Sequence, residues 1–97
     1  MFHIDRIQVD GKYLQGLKVE LKGLPPLLLI SGEKGFVMCS YLNVEVAEKL
    51  EAAAAIVTGV KSLEDVLNAE IKAATSKAKA MGLQPGKVVN TVIGALA

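Results

Sequence analysis

The chain has 97 residues, with 11 basic and 10 acidic side chains and a formal net charge of +1. This length allows a single domain, 1–97, and the balanced charge provides no broad field for nucleic acid or a membrane surface. Hydrophobic residues make up 52% of the sequence, above the ~45–50% of typical soluble domains. Since a small domain cannot bury all of this material, we expect a second copy to cover part of it.

The sequence also indicates where the protein resides. A single cysteine cannot form a disulfide within the chain, which is typical of a reducing cytoplasm. The first six residues lack the basic start and apolar segment of a signal peptide. The longest apolar runs, residues 24–30 and 52–59, are too short to span a bilayer. We therefore expect a cytoplasmic protein with no membrane partner.

The N-terminal segment predicts a β-hairpin. Polar and apolar residues alternate over residues 3–9 and again over residues 13–21, as they do in half-buried strands. The pair Asp10-Gly11 between them is a strong two-residue turn signal. Gly16 interrupts the second strand and indicates a bulge.

Two further strands and a helix follow. Residues 27–31 are a continuous apolar run, which predicts a strand buried on both faces, and residues 36–41 return beside it after a polar turn. Asn43 is a suitable N-cap for a helix over residues 44–53. Its expected apolar stripe consists of Val46, Ala47, Leu50 and Ala54.

The C-terminal half predicts one more strand and two helices. Residues 55–58 are apolar and β-branched, as in a buried strand. Ser62 is expected to cap a long helix that ends at Gly82, and its apolar stripe consists of Leu63, Val66, Leu67, Ile71, Ala74, Ala78 and Met81. A last helix follows Pro85-Gly86. This order, β-β-β-β-α-β-α-α, predicts an α+β fold in which helices pack on one face of a mixed sheet of about five strands.

Three runs of residues carry a family resemblance. KGFVMCSYLN at residues 34–43, AAAAIVTGVK at 52–61 and SLED at 62–65 together resemble the YunC-like family of unknown function, which occurs in archaea and bacteria. The resemblance extends over about residues 9–81. It implies an N-terminal β-strand tetramerisation region, here residues 1–22, and brings no activity and no catalytic residues.

The first hairpin is also the expected interface on its own evidence. It has alternating faces and an available edge, so it can continue a sheet or pack on a second one. We expect a homo-oligomer, with a tetramer or dimer of dimers favoured. The expected interface residues are Ile4, Ile7, Val9, Leu14, Leu17, Val19 and Leu21.

One loop has the composition of an anion site. Thr58, Gly59, Lys61 and Ser62 follow a buried strand and open a helix, where free amides, a lysine and hydroxyls suit a phosphate or carboxylate. The Gly-x4-Gly-Lys-Ser/Thr spacing of a P-loop is absent. The alternative interpretation is a capped turn without a ligand.

Catalytic signals are weak. Cys39 and His3 are the only thiol and imidazole, and they are predicted on different strands, so a core cysteine and a surface histidine are expected. The sequence indicates no cofactor, no metal site within one chain and no nucleic-acid partner. We expect a structural or regulatory oligomeric module without catalytic activity. The alternatives are a small-anion or metabolite binder and an enzyme that uses Cys39 or His3.

Overall fold

A computed structural model of the chain describes residues 2–97 and confirms the α+β class. The strands in this range are β1 (Phe2–Val9), β2 (Lys12–Val19), β3 (Leu27–Ser31), β4 (Phe36–Met38), β5 (Ala54–Ile56) and β6 (Ala73–Ala74). The helices are α1 (Val44–Lys49), α2 (Leu63–Asn68), α3 (Ser76–Ala80), α4 (Val89–Val92) and a 3-10 helix (Ile93–Leu96). The six strands form one sheet in chain order. Only β4 and β5 are parallel, since α1 connects them.

The N-terminal hairpin forms where its sequence predicts it. Asp10 and Gly11 have positive φ angles of 51° and 77°. This backbone matches the two-residue turn whose twist suits antiparallel strands, and glycine adopts it without strain. The turn sets a continuous register from the Val9–Lys12 pair to the far end of the hairpin.

Gly16 does not form the predicted bulge. It pairs in regular register with Asp5 on β1 and Ile30 on β3. A Cβ at this position would lie 2.7 Å from Cδ1 of Leu63 and 3.0 Å from Cδ1 of Ile7. Gly16 therefore allows α2 to approach the sheet closely, a role that only the tertiary packing reveals.

The hydrophobic core lies between one face of the sheet and the helices α2 and α4 with the 3-10 helix. Its largest fully buried side chains are Leu14, Leu28, Ile30, Ile71, Leu83, Ile93 and Leu96. The predicted burial of residues 27–31 on both faces is wrong. Leu28 and Ile30 point into the core, whereas Leu27 and Leu29 are only half-buried on the opposite face.

The first helix is shorter than predicted. Asn43 is its N-cap as expected, and its side chain accepts hydrogen bonds from the amides of Glu45 and Val46. Half of the expected apolar stripe is confirmed, because Ala47 and Ala54 are buried; the other half is wrong, because Val46 and Leu50 are 51% and 74% exposed. Ala47 is buried in α1 and thereby attaches this short helix to the sheet.

The long helix predicted over residues 63–81 is also wrong. The amide of Ile71 donates to the carbonyl of Lys87, and the amide of Lys72 donates to that of Ile56. These bonds take the chain into β6 before α3 begins. Three buried segments in succession reproduced the apolar spacing of one helix, since each contributes side chains to the same core.

The hydroxyl of Thr75 joins β5 to α3 in the protein interior. Its Oγ1 accepts hydrogen bonds from the amides of Ala54 and Ala78 and donates one of 2.6 Å to the carbonyl of Ala52. Thr75→Val leaves these buried groups without their partner, and we expect a loss of about 2–3 kcal/mol of unfolding free energy in urea titrations. Thr75→Ser keeps the hydroxyl, so a smaller loss is expected. Equal losses in both variants would contradict this role.

Glu48 joins α1 to α3 at the surface. Its carboxylate accepts hydrogen bonds from the amide of Ser76 at 2.9 Å and from its hydroxyl at 2.8 Å. The amide bond and then the hydroxyl bond lower the pKa of Glu48 below its ordinary value of 4.5. A lowered native pKa means that this stabilisation is present above pH 4.5 and is lost as the pH falls through the native pKa.

We therefore expect Glu48→Gln to lower the melting temperature at pH 7. The difference in melting temperature between the variant and the wild type should become smaller as the pH falls below 4.5. Glu51→Gln, the same change of charge at an exposed position just after α1, is the matched control. Melting curves between pH 3 and pH 7 provide the measurement. A difference that does not depend on pH would contradict the assigned hydrogen bonds.

Candidate functional site

The sheet has a second face that the core helices leave uncovered. We call it the open face and define it by the large apolar side chains on β1 to β5 that point away from the core: Phe2, Ile4, Leu17, Val19, Leu27, Leu29, Phe36, Met38 and Ile56. At its β4 end, Phe36 borders a cleft with Val46 and Ala47 of α1. One row of them crosses the sheet from Ile4 through Leu17, Leu29 and Met38 to Ile56. Apolar residues at neighbouring positions on five strands form a continuous patch.

The open face is apolar to its outer edge. Phe2 and Ile4 are 72% and 70% exposed, and they lie on the edge strand. The polar side chains of Arg6, Gln8, Gln15 and Ser31 lie on the same face nearer the turn, so the apolar patch occupies the end of the hairpin that is away from Asp10-Gly11.

The seven residues expected at an interface are divided between the two faces. Ile4, Leu17 and Val19 lie on the open face. The prediction that Leu14 lies at the interface is wrong, because this residue is only 1% exposed and belongs to the core of one subunit. Ile7 and Val9 are half-buried and pack against that core, and Leu21 follows the end of β2. Sequence alternation identified the strands but did not show which face would be covered.

Polar groups flank the hairpin. The guanidinium carbon of Arg6 lies 5.1 Å from the ring centre of Tyr13, a cation–π contact on the open face. On the opposite face, His3 Nε2 and Glu20 Oε1 are 2.9 Å apart. The hydrogen bond with His3 lowers the pKa of Glu20. These contacts tie β1 to β2 at both ends of the hairpin.

The loop predicted to bind an anion is a reciprocally capped turn. The hydroxyl of Ser62 accepts from the amide of Asp65, and a carboxylate oxygen of Asp65 accepts from the amide of Lys61 at 3.0 Å. The carboxylate of Asp65 thus pairs with the Lys61 amide, one of the amides that the prediction offers to an anion. The helix that follows has only six residues. Thr58 and Gly59 are exposed, and anion binding here stays a prediction.

The predicted site residues line two different clefts. Ser62 and His3 border a cleft of about 560 Å³ between the N-terminal end of the hairpin and the start of α2. Gly59 and Lys61 border another of about 420 Å³, together with Cys39 and Tyr41. The Tyr41 hydroxyl donates to the carbonyl of Pro25 at 2.7 Å on the rim of the second cleft. Sequence reasoning missed this grouping, because long-range chain pairing creates it.

Cys39 and His3 do not form a catalytic pair in the described structure. The thiol of Cys39 is in the core, where the amide of Leu28 donates to its sulfur at 3.3 Å, while His3 is bonded to Glu20 on the surface. We expect Cys39 to resist Ellman's reagent in native buffer and to react fully in guanidinium chloride, because a 4% exposed thiol is shielded. Rapid labelling of the native protein would contradict the core assignment.

The described residues form neither a metal-binding cluster nor a membrane-spanning helix. Within residues 2–97, no group of three or more His, Cys, Asp or Glu side chains is arranged to hold a metal ion. None of the helices in this described range is long and apolar enough to cross a membrane.

Comparison with known proteins reveals two similarities. Residues 38–96 match the family model described as a domain of unknown function, DUF1805. A crystal structure of TA1206 from Thermoplasma acidophilum, described as a protein of unknown function, is 43% identical with a TM-score of 0.95. The similarity covers 100% of this chain and 94% of that one. No curated protein matches. An uncharacterised family was therefore the correct expectation, while the YunC-like label stays a prediction.

Proposed function

Because the chain belongs to the DUF1805 family, whose description assigns no function, we propose from its own geometry that it is a self-associating structural or regulatory module without catalytic activity. Its N-terminal hairpin supplies the contact surface, and the assembly is a tetramer built as a dimer of dimers. The observation that carries the proposal is the open face, which ends in an edge strand with two strongly exposed apolar side chains.

The energetic support comes from the unfavourable contact of this face with water. Each large aliphatic or aromatic side chain that is fully buried contributes about 1.5–3 kcal/mol relative to an exposed one. Leu17, Leu29 and Met38 are already partly shielded from water by their neighbours. Contact with a second copy would bury the rest of their surface and contribute the remaining part of this free energy.

The arrangement of charge supports the same conclusion. Most of the charged residues of β1 and β2, including Asp5, Lys12 and Lys18, point to the core face or its rim. Arg6 is on the open face, but its guanidinium is stacked on Tyr13. An interface centre depleted of free charge is typical of stable protein contacts.

Sedimentation of the full chain at micromolar concentration tests the proposal. The expected result is a particle several times heavier than the 10.2 kDa chain. A single species of 10.2 kDa would overturn the proposed self-association. A cytoplasmic location is part of the same proposal. The proposed absence of catalysis is tested separately by activity screens.

A further inference from the structure

The outer edge of the sheet carries backbone groups that the described chain does not pair. β1 is the first strand in the sheet order, so only β2 contacts it laterally within residues 2–97. In a two-residue hairpin the residues flanking the turn, here Val9 and Lys12, exchange both backbone hydrogen bonds. Bonded and non-bonded pairs then alternate along the ladder. The residues of β1 whose amides and carbonyls point outwards are therefore Phe2, Ile4, Arg6 and Gln8.

Bonds elsewhere in the sheet agree with this alternation. Continued across β2 and β3, the alternation predicts that the backbone amides and carbonyls of Leu28 and Gly32 point towards β4 rather than towards β2. The amide of Cys39 donates to the carbonyl of Leu28, and the amide of Gly32 donates to that of Gly35, in this phase.

We propose that this edge pairs antiparallel with β1 of a second copy, about a two-fold axis at Ile4. The inference rests on the proposed function, since it specifies which copies touch and in what register. Ile4 faces Ile4 of the second copy across the axis. Phe2 faces Arg6 of the second copy, and His3 faces Asp5 of the second copy. Each copy supplies both partners, so the contact closes on itself and does not extend into a fibre.

Charge distinguishes this register from its neighbours. A ladder centred on Asp5 places two carboxylates directly opposite each other, and one centred on Arg6 does the same with two guanidinium groups. Like charges at such positions destabilise strand pairing. The ladder centred on Ile4 instead combines an apolar pair, a cation beside an aromatic ring and an imidazole beside a carboxylate.

Two other registers lose contacts. Within the described residues, a ladder centred on His3 pairs only residues 2–4 of each copy. One centred on Ile7 places Ile4 opposite Asp10 and leaves Phe2 outside the paired segment. Ile4 and Phe2 are the most exposed apolar side chains of the hairpin, so the register centred on Ile4 removes more apolar area from water.

This pairing also explains how two contact surfaces produce a dimer of dimers. A two-fold axis perpendicular to the sheet leaves both open faces on the same side. The apolar row from Ile4 to Ile56 then continues across the axis into its copy. Two such doubled faces pack on each other, as in a β-sandwich.

Cysteine crosslinking of the full chain tests the register. Ile4→Cys keeps every charge and changes a 70% exposed side chain. Hydrogen-bonded antiparallel partners have Cα atoms about 5.5 Å apart, within the ~4.4–6.8 Å range of disulfides, and Cβ atoms about 5.5 Å apart, so a shift of about 1 Å between the two edge strands brings the thiols into bonding range. We expect Ile4→Cys to form a disulfide-linked dimer under mild oxidation. In a ladder centred on Asp5 the same two atoms are about 9 Å apart, outside that range.

Gln8→Cys is the matched control, because Gln8 is exposed, uncharged and part of the same outward-facing set. Its Cα atoms are about 27 Å apart in the proposed pair, so we expect no crosslink. In the ladder centred on Asp5, Phe2 faces Gln8 of the second copy. A mixture of Phe2→Cys and Gln8→Cys chains therefore crosslinks only in that ladder. The wild type, with its buried Cys39, controls for the native thiol.

The outcomes separate the two proposals. A dimer band from Ile4→Cys alone supports the register. Crosslinking in the mixture, or equally in Gln8→Cys, overturns it. An uncrosslinked Ile4→Cys protein that still sediments as an oligomer overturns the edge pairing and leaves the proposed self-association intact. A protein that sediments as a monomer overturns both.

Discussion

The Leu17→Asp/Val19→Asp protein is expected to sediment as a folded 10.2 kDa monomer at concentrations at which the wild type is an oligomer. Both side chains lie on the open face, in the centre of the sheet next to Leu29 and Leu27. A carboxylate buried there without a partner costs several kcal/mol per copy, and a symmetric contact repeats the cost in each copy. Within a single subunit the same carboxylates remain in contact with water, so the fold is retained.

Lys12→Asp is the matched control, because it introduces a carboxylate on the same strand but at an exposed position on the other face. It is expected to leave the sedimentation coefficient unchanged. Circular dichroism verifies that all three proteins are folded. If the double variant remains as large as the wild type, the open face is not the contact surface.

Gly32→Ala is expected to destabilise the fold strongly. A Cβ at Gly32 collides with the carbonyl oxygen of Leu96 and lies 2.6 Å from its carbonyl carbon. That carbonyl accepts a 2.8 Å hydrogen bond from the amide of Lys34, and the Leu96 side chain is fully buried. Backbone contacts cannot move as a flexible side chain can, so the C-terminal 3-10 helix must shift out of the core.

We expect a loss of about 3 kcal/mol, the upper range for overpacking. For a domain of this size each kcal/mol lowers the melting temperature by about 4–8 °C, so a decrease of roughly 12 °C or more follows. Urea titration and thermal melts provide the measurement. Both are performed at one protein concentration, because association shifts the apparent stability.

Gly94→Ala is the control for this experiment. A Cβ at Gly94 meets Oδ2 of Asp10 at 3.6 Å, an ordinary van der Waals contact, and the residue lies in the same 3-10 helix as Leu96. Its expected effect is within about 0.5 kcal/mol. Similar effects of the two substitutions would contradict the close approach assigned to Gly32.

Local sequence signals predicted the elements that local chemistry controls. Asp10-Gly11 predicted the hairpin and its turn, because few residue pairs adopt two successive positive φ angles. Asn43 and Ser62 predicted two helix starts, since a short polar side chain satisfies the free amides of the first turn. Gly82, with φ of 100°, has the left-handed backbone expected of a glycine at a helix end, and it follows the C-cap of α3.

Helix length was not predictable in the same way. The segment after Ser62 is rich in helix-forming residues with helical apolar spacing, yet α2 ends at Asn68. Long-range backbone bonds from Ile71 and Lys72 replace the helical ones there. Thr75 then starts α3 with its own cap. Propensity is a weak prior, and tertiary partners override it when they satisfy the same backbone groups.

By itself, the sequence determined the fold class, the hairpin and the excess of apolar residues over what one small core can hold, because composition, alternation and turn chemistry act locally. Only the tertiary structure decided which apolar residues fill that core and which form the open face. Leu14 and Leu17 are both leucines on one strand, but the alternation of side chains places the first against the helices and the second on the uncovered face. That division depends on where α2 and the 3-10 helix pack, which no single segment of the chain encodes.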